Sequence, residues 1–149
     1  MKAGADRHDE FFRRTQLLLA RVERAERAVE SAELSAPPAG VRIRIEGEGP
    51  EALVEVSGDA EPGVLLRTVA TADDLANAPR QMDAVPAEVD RLLSAARRFA
   101  IGIYGVPGGR GFRLREAHAE ALRHLADLPA RARRVGGSAR ELLGRLRGS

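Results

Sequence analysis

Residues 99 to 116 read FAIGIYGVPGGRGFRLRE, with glycines and a proline set around Arg110. Such a run invites comparison with a phosphate-cradling loop. A P-loop needs a Lys after its last glycine to reach the phosphates, then a hydroxyl to hold magnesium. Here Gly111 follows Arg110 and neither group is present. The dinucleotide spacing also breaks, because Leu114 stands where the third glycine of Gly109 and Gly111 belongs. Val106-Pro107-Gly108-Gly109 instead suits a type II turn, with Pro at its second position and Gly at its third. The stretch is expected to connect two elements. Helices are expected outside Phe99 and Phe112, although AIGIYG against GFRLR also fits a hairpin.

Other chemistry-bearing residues are scattered. His118 and His124 lie six apart, about 600° round a helix, so one metal ion would not find both on one face. HAEAL is not the H-E-x-x-H of a zinc protease. No serine sits in G-x-S-x-G, and Ser138 with Glu141 reads as a capping box. Asp73-Asp74 and Asp9-Glu10 fall at expected helix starts, where the macrodipole explains them. No metal, no cofactor and no catalytic set is expected, and an enzyme is the weakest of the readings.

The strongest asymmetry is charge. Residues 41–78 carry three basic and eight acidic side chains, net −5; residues 79–149 carry fourteen and seven, net +7. From Arg110 onward there are ten arginines against four acids. The planar guanidinium fork suits phosphate oxygens, so Arg110, Arg131, Arg133 and Arg134 are the candidate contacts to a nucleic acid. The plainer reading is a solvated helical face. Chain-wide aromatic content is 3%, which leaves little to stack on bases.

The elements that would position these groups begin with a long helix over 6–33. Phe11, Leu18, Ala25 and Ala32 recur every seven residues, with Thr15, Val22 and Val29 between them. That 3-4 spacing marks a helix that pairs with another helix, within the chain or from a partner. Phe11, Leu18, Val22 and Val29 are therefore the candidate partner-binding residues. SAPPAG ends the helix. VRIRIEGEGPEALVEVSG then alternates apolar and polar residues about a GEGP turn, and Val64–Ala70 reads as a third strand. A three-stranded antiparallel meander over 41–70 is expected, followed by mostly helical, basic sequence over 72–147. Within it, a short helix opens at a Thr71–Asp74 capping box, another starts near Pro86, and a third ends at Pro129.

The long helix followed by VRIRIEGEGPEALVEVSG resembles, in element order over about 50 residues, the YbaB-type nucleoid-associated proteins. That resemblance implies DNA binding and dimerisation through helices and a hairpin. The third strand and the long helical extension depart from it.

At 149 residues and 44% hydrophobic, the chain is long enough for one α+β domain with a real core. Without cysteine it forms no disulfide and offers no thiolate. No apolar run approaches the roughly 20 residues of a membrane span. No secretory signal is expected, because MKAGADRHDEFF lacks an apolar core, and the expected location is cytoplasmic. The functional expectation is a non-catalytic binding or assembly protein, acting through helix-mediated self-association or a protein partner. Nucleic-acid binding through the arginines is the alternative.

Overall fold

The computed structural model describes residues 2–34, 37, 40–104 and 110–147, with side chains over 9–32, 37, 40–97 and 116–146. The class is α+β. Helix α1 (Lys2–Leu34) leads into strand β1 (Val41–Glu46), a 3-10 turn (Gly49–Glu51) and strand β2 (Leu53–Gly58). Helices α2 (Pro62–Asp83), α3 (Val85–Tyr104) and α4 (Arg110–Arg147) follow. The contacts divide the chain into two compact units.

In the first unit, Met1–Ala20 with Val85–Arg131, the described residues are all helical. Its buried residues keep a 3-4 spacing on each segment, as in bundles packed knob into hole. They are Phe11, Thr15 and Leu18 on α1, and Val85, Val89, Leu92 and Ala96 on α3. On α4 they are His118, Ala121, Leu125 and Leu128. Phe11 meets His118 with ring centroids 5.9 Å apart. Thr15 tolerates burial because its hydroxyl donates to the Phe11 carbonyl at 2.9 Å.

The second unit, Arg21–Ala84 with Ala132–Ser149, combines the hairpin with helices. β1 and β2 are antiparallel, with Val41 opposite Gly58, Ile43 opposite Val56 and Ile45 opposite Val54. The expected GEGP turn is present, and Gly47 and Gly49 take φ of 82° and 80° there, where a Cβ is disfavoured. One sheet face carries the isoleucines and valines; the other carries Arg42, Arg44 and Glu55.

The third strand is not found among the described residues. Val64–Ala70 is instead the start of α2. Pro62 sits in the first turn, where its missing N–H costs nothing. From there the apolar positions continue without a break to Met82, a length natural to a helix and not to a strand. Thr68 and Thr71, which look strand-like or capping in the sequence, donate their hydroxyls to the Val64 and Arg67 carbonyls four residues back. The Thr71 capping box is thus interior helix.

Pro129 does not end a helix either, because α4 runs through it and through Ser138. An interior proline costs about 3 kcal/mol. Burial at Leu125, Leu128, Ala132, Val135, Ala139 and Leu143 keeps one apolar stripe continuous across it and offsets that cost. Gly136 has a separate reason to be glycine: a Cβ there would lie 3.2 Å from the Met82 Cβ, so α4 approaches α2 closely. α3 opens with Val85 and Pro86 in its first turn.

Candidate binding cleft

Among the residues singled out from the sequence, Phe11 (3% exposed), Leu18, Val22 and Val29 are all buried inside the chain. In this fold the α1 seam faces the protein's own interior. The candidate arginines differ in their settings. Arg110 starts α4, and its side chain lies outside the described residues, as do residues 105–109, where the turn at Gly108 was expected. Arg131 is 24% exposed and sits 4.0 Å from Asp127. Arg133 and Arg134 are exposed and meet no acidic side chain among the described residues.

Part of the basic segment is neutralised within the second unit. Arg140 of α4 makes a two-pronged contact with Asp83, at 2.6 and 3.3 Å, and reaches Glu48 at 3.3 Å. The hydrogen bond to Asp83 is the main cause that pushes Arg140 above its ordinary pKa; burial opposes it, and Glu48 adds a smaller push. Glu48 belongs to the acidic middle of the chain, so some of the charge asymmetry closes internally. On the open sheet face, Arg44 donates to Glu46 at 2.6 and 3.1 Å and is also raised, with Glu55 contributing through its charge.

The feature that sequence reasoning did not locate is a cleft of about 660 Å³ in the second unit. Its walls are apolar: Ala32 of α1, Ile43 and Ile45 of β1, Leu75 of α2, and Leu142 and Leu146 of α4. The cause is geometric. Three helical segments meet a sheet of only two strands, about 10 Å wide and so about the width of a single helix. Such a sheet cannot cover all the apolar surface turned toward it. Arg67 and Arg145 also line the cleft. Arg145 is paired with Glu141 at 3.2 Å, whereas Arg67 has no acidic partner among the described residues.

A second hollow of about 390 Å³ adjoins the first, and the two share Ser31 and Thr71. Its other walls are polar: Arg24, Arg27 and Asp74, with Ala28. Arg24 holds Asp74 at 3.0 Å. Arg27 is exposed and has no acidic partner among the described residues.

The missed signal lay in α2. Once 62–83 is read as one helix, Val64, Thr68, Thr71 and Leu75 fall on one face at 3-4 spacing. Leu142 and Leu146, one turn apart beside buried Leu143, supply the facing wall.

Among the described residues no three His, Asp or Glu side chains are grouped to hold a metal ion. No described helix is long and apolar enough to cross a membrane. No protein-family model, curated protein or solved structure matches the chain.

Proposed function

We propose that the chain works by binding, and that its recognition site is the apolar cleft of the second unit. One observation carries this reading: a concave, largely apolar space with a few polar groups at its margin. Its volume of about 660 Å³ lies within the roughly 300–1,000 Å³ typical of sites that take small guests. Binding through the α1 seam, by self-association or by a helical partner, would require exposing side chains that now form the core. The cleft needs no such opening.

The test uses Nile red, a neutral dye whose emission rises in apolar surroundings. The protein should bind it stoichiometrically, and Ser31→Trp, which places a ring at the neck shared by the two hollows, should abolish binding without lowering the melting temperature. Absence of dye binding by the unsubstituted chain would remove the cleft as a site.

A second reading is favoured by Arg133 and Arg134, which are exposed and lack acidic partners among the described residues. If they contact phosphates, duplex DNA should bind at physiological salt. The Arg133→Ala/Arg134→Ala variant should lose that binding and flatten its salt dependence by about one unit of slope per contact.

A further inference from the structure

We infer that the guest is a single-chain anionic amphiphile, with its hydrocarbon tail in the apolar cleft and its carboxylate in the adjoining polar hollow beside Arg27. This rests on the reading of the cleft as a binding site and adds the chemical class of the ligand. The two hollows differ sharply in character yet share two wall residues, Ser31 and Thr71. A molecule extending from one into the other therefore meets apolar walls first and charged walls next.

The sign of the head group follows from the charges. Three charged side chains line the polar hollow: Arg24, Arg27 and Asp74. Arg24 and Asp74 offset one another at 3.0 Å, which leaves Arg27 as the uncompensated charge. Arg67, also without an acidic partner among the described residues, lines the apolar cleft and adds a second positive charge at its margin. A cationic head would be repelled, and a neutral head would leave Arg27 unmatched. The guanidinium fork binds a carboxylate through two parallel hydrogen bonds. Ser31 is exposed and offers a hydroxyl donor at the junction. Thr71 already donates to the Arg67 carbonyl, so it can only accept, and contributes methyl surface to the tail.

A small guest also suits the shape better than a macromolecule. A stable protein interface covers about 800 Å² on each partner. The space here is a recess lined by four elements, which suits a chain better than the broad face such an interface needs.

The experiment compares decanoate, decanol and decyltrimethylammonium by calorimetry, each below its micelle-forming concentration, with Nile red displacement as an independent readout. Decanoate should bind tightest and displace the dye. Arg27→Gln should weaken decanoate by about tenfold, equivalent to about 1.4 kcal/mol, and leave decanol unchanged. The side chain of Arg27 is exposed, so the variant should fold, which its melting temperature checks. Equal affinity for all three probes, or decanoate binding untouched by Arg27→Gln, would overturn the anionic assignment while the cleft survives. Nile red binding with no response to decanoate would do the same. If neither dye nor decanoate binds, both readings fall. A concentration-dependent doubling of mass that excludes decanoate would identify a second copy as the occupant instead.

Discussion

The helical unit and the mixed unit solve the same problem, burying apolar side chains, with different completeness. In the helical unit, three segments present buried stripes of equal period, and Leu125 and Leu128 are fully covered. In the mixed unit, three helical segments meet a ribbon about as wide as one of them. Ile43 is only half-buried, and a space of about 660 Å³ is left beside it. The lesson is that matched periods close a core, while a two-stranded sheet set among helices leaves room for something else. On this account one unit supplies stability and the other recognition.

The same substitution should separate the two. Leu125→Ala removes a side chain with no exposed surface and should cost about 3–4 kcal/mol. Leu142→Ala, at the half-exposed cleft wall, should cost about 1 kcal/mol and weaken Nile red. Denaturant titration of both variants measures the gap. Equal losses would mean that the cleft is as tightly packed as the bundle.

A smaller effect comes from neighbouring glycines of α4. Nothing lies within 4 Å of a Cβ at Gly137, so Gly137→Ala should gain about 0.5–1 kcal/mol from helix propensity alone. Gly136→Ala should gain less or lose, since its Cβ would press on Met82 at 3.2 Å. Thermal unfolding of the pair tests whether α4 and α2 approach as closely as described. An equal gain at both positions would show a looser crossing.

The smallest effect is electrostatic. The Arg140 side chain is 44% exposed, so Arg140→Gln should cost no more than about 1 kcal/mol, and less at high salt. Because the pKa of Arg140 is raised, its contribution is retained from neutral pH up to the ordinary arginine value and falls away as pH rises beyond it. The stability difference between the two proteins should therefore stay flat across neutral and mildly alkaline pH. A marked slope in that range would assign the effect to another group.

These contrasts also explain what was legible in the sequence. The α1 seam is visible because a 3-4 period sustained over several turns belongs to a packed helix and to little else. The β1–β2 hairpin is visible because alternation flanks a glycine turn. What period alone leaves open is the occupant of a seam. Phe11, Leu18, Val22 and Val29 would look the same against a second chain as against their own. The third strand is not formed because the short, mostly apolar run Val64–Ala70 does not fix a period, and only its continuity with 71–83 decides for helix. Pro129 misleads for a related reason: its local cost is read directly, whereas the buried stripe that offsets it is a tertiary fact. The cleft was invisible because a cavity is a property of how elements fit. Its charged margin, Arg24 and Arg27 on α1 and Arg67 on α2, comes from residues 40 or more positions apart.

Hydrogen exchange with and without decanoate tests most directly whether recognition belongs to the mixed unit. Added protection is expected over residues 64–75 of α2 and 139–146 of α4, and none over residues 85–97 or 116–128. Protection concentrated in the helical unit, or equal in both, would contradict it.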